Sequence, residues 1–217
     1  MASQDIDEVR PVRIGRHGLQ GLLGGGADAR GLVIFAHGRG SGRFSPRNNH
    51  VAAGLRGAGC ATLLLDLLQP QEEDDRRKVF DIPLLADRLL EAAAWARTQQ
   101  DVGRLPLGFF GASTGAGAAL AAAARAPEHV TAVVSRGGRP DLAADALPLV
   151  QAPTLLIVGS LDVPVIALNR QALAQLKIEK DLVIVPGASH LFEEPGTLDQ
   201  VLVHASQWFV RHFAAAG

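Results

Sequence analysis

Short, unbroken apolar runs recur along the chain and alternate with longer stretches in which apolar residues return at helical spacing. The runs are Leu32–Ala36, Ala61–Leu65, 107–110, 130–134, 154–158 and 182–185. They are too short for helices and lack the alternation of a half-wet strand, so they read as strands covered on both faces. Helices are predicted between them at Pro46–Gly57, 84–97, Thr114–Arg125, 165–176 and 196–213. The 84–97 segment is the clearest, because Leu85, Leu89, Ala92 and Ala96 form one apolar stripe. Ahead of this series, Val9–Ile14 and 19–23 flank Gly15-Arg16-His17-Gly18 and read as a hairpin at a sheet edge.

Strands alternating with helices predict an α/β fold, a mostly parallel sheet of about eight strands with helices on both faces. The stretch between Ser135 and Ala152 has room for one short helix, so the lid is expected to be minimal. The charged patch from Glu72 to Lys78 reads as a solvated loop. No linker or internal repeat interrupts the pattern, and one domain over 1–217 is expected.

Composition narrows the classes. A 217-residue chain that is 47% hydrophobic and 20% charged can bury one sizeable core and is not disordered. A net charge of −1 supplies no field for nucleic acid or an anionic membrane, so neither is expected as a partner. The one cysteine, Cys60, excludes an internal disulfide framework and reads as buried packing. The segment from Met1 to Glu8 lacks a basic start and apolar run, so no secretory signal is expected there. No apolar stretch reaches the roughly 18 residues of a membrane span. A cytoplasmic protein is the expectation.

The strongest chemical signal is Gly111-Ala112-Ser113-Thr114-Gly115, which ends a strand and opens a helix. That context is what a nucleophile elbow requires, with Ser113 projecting from the carboxyl edge of the sheet. The alternative is a small-residue turn with a serine cap. A second loop, His37-Gly38-Arg39-Gly40-Ser41-Gly42, follows the strand Leu32–Ala36. Acyl transfer needs two donors aimed at the oxyanion, and the amides of Thr114 and Arg39 are placed to supply them. The alternative, a phosphate loop, is poorly matched, since neither Gly-x-x-x-x-Gly-Lys-Ser/Thr nor Gly-x-Gly-x-x-Gly is present.

Serine needs a base and the base needs an acid. Of the seven histidines, His190 lies just past the last buried strand, on the same carboxyl edge as Ser113. His37 is a second choice, better suited to shaping its loop. His17, His50, His129, His204 and His212 fall in helices or peripheral loops. Asp162 follows the strand 154–158, and the order Ser113, Asp162, His190 is the one this architecture uses. Asp141 is the fallback acid and Asp66 a less favourable one. A metal hydrolase on His37, Asp162 and His190 finds no His-x-x-x-His or carboxylate cluster in support.

From about Val9 onward the chain resembles the dienelactone-hydrolase branch of the α/β-hydrolases. The resemblance rests on His37-Gly38, the Ser113 elbow, Val158-Gly159-Ser160-Leu161-Asp162 and Pro186-Gly187-Ala188-Ser189-His190. It implies the α/β-hydrolase fold. Dienelactone hydrolases proper carry cysteine where this chain has Ser113, which favours a serine esterase over dienelactone itself as substrate.

Arg43, Arg136 and Arg139 lie near the same edge, and Arg47 follows Arg43. They can fork onto a substrate carboxylate or phosphate, or pair with the chain's own acids, such as Asp141 and Glu193. The expectation is a hydrolase for small esters or thioesters, needing neither metal nor organic cofactor, with a small-molecule ester as its partner. Oligomeric state is not legible. Acyl transfer by the same triad, and a non-catalytic binding module, are the alternatives.

Overall fold

The computed structural model describes residues 9–216. The segment read as carrying no secretory signal lies outside them. The strands are β1 (Val9–Ile14), β2 (Leu19–Gly24), β3 (Leu32–Ala36), β4 (Ala61–Leu65), β5 (Leu107–Ala112), β6 (Ala132–Arg136), β7 (Thr154–Gly159) and β8 (Lys180–Val185). They form one eight-stranded sheet in the order β1-β2-β4-β3-β5-β6-β7-β8. The hairpin β1–β2 pairs antiparallel at one edge and β2 joins β4 antiparallel. From β4 through β8 all neighbours are parallel.

The helices are α1 (Pro46–Gly57), α2 (Pro70–Glu73), α3 (Arg76–Val79), α4 (Ile82–Arg97), α5 (Thr114–Arg125), α6 (Val163–Gln175) and α7 (Thr197–Ala215). A 3₁₀ segment, Pro140–Leu149, fills the space expected for a short helix after β6. Two apolar clusters lie on opposite faces of the sheet. One gathers Leu85, Leu89 and Ala92 of α4 with Leu120 of α5, bearing out the stripe read from sequence. The other gathers Val51 and Leu55 of α1 with Phe209 and Phe213 of α7, against Phe35 and Phe110 of the sheet. The last two rings lie 4.9 Å apart, which adds an aromatic contact to area burial.

After β3 the chain runs outward to β4, then crosses back to β5 on the other side of β3. Loops leaving β3 and β5 therefore diverge and leave a crevice at their carboxyl ends, where open α/β sheets bind ligands. The His37 loop leaves β3 and Ser113 leaves β5.

The charged patch between Glu72 and Lys78 is not a solvated loop. It folds into α2 and α3, started by the Gln69–Glu72 capping box and by Asp75, whose carboxylate accepts from Arg77 N–H. Its charges turn inward as well as out. Arg88 of α4, only 7% exposed in its side chain, pairs with Glu72 at 3.1 Å, and Lys78 joins the same carboxylate at 3.4 Å. Partners 6 and 16 residues apart are invisible to local pattern reading. Elsewhere boundaries move slightly. Strand β6 lies two residues later than the apolar run at 130–134 suggests. Strand β8 starts earlier, with polar residues exposed on the sheet edge.

The helix α5 approaches β3 so closely that a Cβ on Gly115 would lie 2.1 Å from the Ala36 carbonyl oxygen. That obstacle is backbone and cannot swing aside. Gly115→Ala is expected to destabilise the protein by about 2–3 kcal/mol, read from urea denaturation midpoints at constant m-value.

Candidate active site

Ser113 holds φ 53° and ψ −123° between β5 and α5. A non-glycine residue there stores on the order of 1–3 kcal/mol of strain and persists only when its surroundings force it. They do. The Ser113 N–H donates to the Arg136 carbonyl at 3.3 Å, and its own carbonyl accepts from Arg139 N–H at 3.0 Å and Ala116 N–H at 3.1 Å. Gly111 has room for hydrogen only, since a Cβ would lie 2.4 Å from Ala116 Cα. The sequence pattern Gly-x-Ser-x-Gly is thus a steric requirement of the turn.

His190 Nδ1 lies 2.6 Å from Asp162 Oδ2. The acid is the shielded partner, its side chain 12% exposed against 39% for the histidine. Two bonds stitch their loops together. Leu161 N–H donates to the Ala188 carbonyl at 3.0 Å, and Gly187 N–H to Ser160 Oγ at 2.8 Å. Glu194 closes the histidine loop by accepting Ser189 N–H at 3.0 Å, and this bond holds its carboxyl below the ordinary range. The ring stands over the elbow's neighbour strand. A Cβ built on Gly137, one residue past the carbonyl that holds Ser113, would sit 3.6 Å from His190 Cε1. Sequence reading thus placed Ser113, Asp162 and His190 at one edge, and the structure brings them there.

Across from the elbow, Gly38 packs against Ser113, where a Cβ would come within 2.9 Å of Ser113 Cβ. His37 is buried and fixed by two bonds. Its Nε2 accepts Leu67 N–H at 3.0 Å, so its Nδ1 carries the hydrogen and donates to the Gly38 carbonyl at 2.9 Å. Burial holds its pKa below 6.5, against smaller opposing contributions from the Gly38 bond and the charges of Asp66 and Glu73. The Gly38 carbonyl also accepts Ser41 N–H at 3.2 Å. Because a trans peptide points its C=O and N–H to opposite sides, holding that oxygen turns the Arg39 N–H away from His37. Thr114 opens α5, so its N–H has no partner within the helix. Arg39 and Thr114 line one cavity of about 290 Å³, with Leu68, Val79 and Leu85 as apolar wall and Glu73 and Asp74 as acidic wall. A cavity of about 500 Å³ between the β1–β2 turn and α4 contains none of the candidate residues.

The arginines divide. Arg43 is bonded to Asp66 through its N–H at 2.7 Å and through its guanidinium. Arg139 forks onto Asp141 at 2.8 and 2.7 Å. The fallback acids are therefore occupied, and so are two of the three arginines read as substrate-binding. Arg136 instead is buried, with Nη2 donating to Asn48 Oδ1 at 3.3 Å. The sequence reading passed over Glu194 and Asn48, whose partners only the fold reveals. His17, His50 and His212 lie elsewhere, engaged by Glu91, Asp199 and the Trp208 ring. Burial pushes the Cys60 thiol up to about 11, as suits inert packing. Among the described residues no group of three His, Cys, Asp or Glu side chains is arranged to hold a metal ion. Nor is any helix among them long and apolar enough to cross a membrane.

Fold and site together define the α/β-hydrolase class. The model of the α/β hydrolase fold family matches residues 31–156, and the chain belongs to that family. Within it the chain is dienelactone hydrolase-like. It is 56% identical to a crystal structure of dienelactone hydrolase from Anabaena variabilis ATCC 29413, covering 94% of this chain and 97% of that one at a TM-score of 0.89. An esterase domain from a Rhodothermus marinus protein shares the fold at 19% identity and a TM-score of 0.74, covering 95% of this chain and 99% of that one. A Mycobacterium tuberculosis protein provisionally named a phosphoribosyl transferase is 59% identical over 188 residues, 87% of this chain. The chain spans only 42% of the length of that relative.

His37 provides a test of the loop geometry. An unfolded chain protonates this histidine below about pH 6.5, whereas the folded protein resists until lower pH. Its contribution to stability is therefore complete above pH 6.5 and is lost as pH falls through the lowered value. His37→Leu is expected to show a shallower loss of the urea midpoint between pH 7 and 5 than wild type. The same variant should lose roughly ten- to hundredfold in kcat as the Arg39 amide loses its orientation.

Proposed function

We propose that the chain is a serine hydrolase of carboxylic esters or thioesters with small acyl groups, acting through an acyl-enzyme. The observation that carries this reading is the 2.6 Å Asp162–His190 pair at the same sheet edge as a serine held at positive φ. Asp162 accepts the Nδ1 hydrogen, which leaves Nε2 free to take the Ser113 proton. Ser113 Oγ then attacks the carbonyl carbon. The Thr114 and Arg39 amides receive the developing oxyanion. The imidazolium returns its proton to the departing alcohol or thiol. Water follows, deprotonated by His190, and releases the acid.

Hydrolysis is favoured over transfer to another acceptor because the His190 side chain is 39% exposed and water reaches it. Phosphoribosyl transfer is not carried over from the mycobacterial name, since that name belongs to a protein of which this chain spans 42%. In this reading the protein works on a small-molecule ester in the cytoplasm, without a cofactor.

Ser113→Ala and His190→Ala are each expected to lower turnover of p-nitrophenyl esters roughly 10⁴- to 10⁶-fold with circular dichroism unchanged. Near-normal turnover in either would end the assignment. Asp162→Asn should cost less than either. An acetate-to-octanoate series run alongside sizes the acyl pocket.

A further inference from the structure

Among the described residues, two other than glycine hold a positive φ, Ser113 and Phe192. The first is the serine of the elbow. The second stands two positions past His190, at φ 55°. A bulky aromatic residue in that region is a genuine outlier, and such strain persists only where the surroundings over-determine it.

The ring is what holds Phe192 there. Between Ala188 and Thr197 it is the one buried residue, while Leu191 and Glu193 on either side are exposed. It packs into the apolar cluster of Phe35, Phe110 and Phe209. Its N–H donates to the Ser189 carbonyl at 3.3 Å, which closes residues 189–192 into a turn with His190 inside it. The bonds from Gly187, Ala188 and Ser189 to Ser160, Leu161 and Glu194 all attach the chain before the histidine. Phe192 is the first fixed point after it.

The rings of His190 and Phe192 share a floor. A Cβ built on Gly137 would sit 3.5 Å from Phe192 Cε2, 3.6 Å from His190 Cε1 and 3.0 Å from the His190 carbonyl oxygen. Gly137 is tied to β7 by its N–H, which donates to the Ile157 carbonyl at 2.8 Å, and it follows the Arg136 carbonyl that holds Ser113. The imidazole itself is bonded among the described residues only to Asp162, and its side chain is 39% exposed. Its place therefore depends on how firmly its backbone is held.

We propose that Phe192 is a positioning residue for the general base. Its buried ring and left-handed backbone clamp the turn that carries His190, keeping the imidazole on Gly137 with Nδ1 against Asp162. The inference rests on the ester-hydrolase reading and adds to it the residue that fixes the base. Phe192 acts through His190 and meets no reacting atom.

Phe192→Ala and Phe192→Leu are compared with wild type in kcat, KM and proton NMR. The hydrogen between His190 and Asp162 is followed as a far-downfield resonance, assigned by its loss in His190→Ala. Phe192→Ala is expected to lower kcat about ten- to hundredfold with KM within about twofold, and to broaden or abolish the resonance. Phe192→Leu refills the space and should recover most of both. Phe213→Ala removes a buried ring of the same cluster at the opposite end of the sheet, beside Gly31 and Gly108. It should lower the Tm yet leave kcat and the resonance as in wild type. Should Phe192→Ala fail to fold, Phe192→Gly decides, because it drops the ring while releasing the positive-φ strain. A folded Ala or Gly variant with wild-type kcat and resonance overturns the proposal, as does an equal loss of both in Phe213→Ala. The resonance needs no turnover. If wild type cleaves no ester, the hydrolase reading fails and the clamp still stands or falls by the resonance.

Discussion

The contact of the α5 backbone with the ends of β3 and β5 sets the geometry on which the site depends. The Ala36 carbonyl, Gly115 and Ala116 meet with no space for a side chain at either flanking glycine. That proximity forces Ser113 into a left-handed conformation and bonds its backbone to the Arg136 carbonyl and the Arg139 N–H on the adjoining strand and its loop. The strain is local and the restraint is distributed over three segments, which is how an unfavourable φ survives in a folded protein. The same packing turns the start of α5, with its unpaired N–H groups, toward the crevice between β3 and β5.

Polar groups around that crevice are held by pairs of bonds. His37 has both ring nitrogens committed, Asp162 is shielded and bonded to His190, and the two loops that carry Asp162 and His190 are stitched by Leu161 and Gly187. Preorganisation of this kind means that donors need not reorient when charge develops, which is where electrostatic stabilisation in enzymes is largest. Burial of His37 in its neutral form is part of it, because a protonated ring could not accept the Leu67 N–H.

Much of this was legible in the chain itself. Strands buried on both faces print themselves as unbroken apolar runs, and the turn at Ser113 demands glycines that stand beside it in sequence. Asp162 and His190 stood out because each follows a strand that the pattern located, and the fold pairs them. What escaped depends on partners brought together only by the fold. Glu72 meets Arg88 across 16 residues and turns a supposed loop into two short helices. Asp66 reaches Arg43 across 23 residues, and Arg47 reaches Glu193 across 146. Charge spacing along the chain does not reveal which arginine is matched and which is left without an acid.

That difference bears on how a site with so little covering it selects a substrate. The segment after β6 contributes only a 3₁₀ turn, and His190 remains open to solvent, so shape alone encloses little. Selection then falls to fixed charges at the walls. Glu73 and Asp74 stand with Arg39 and Thr114 around one cavity, and Glu73 and Asp66 share the open cleft beside it with Arg39, Arg43 and Arg47. A like charge facing a wall is rejected at least as effectively as an opposite charge is attracted.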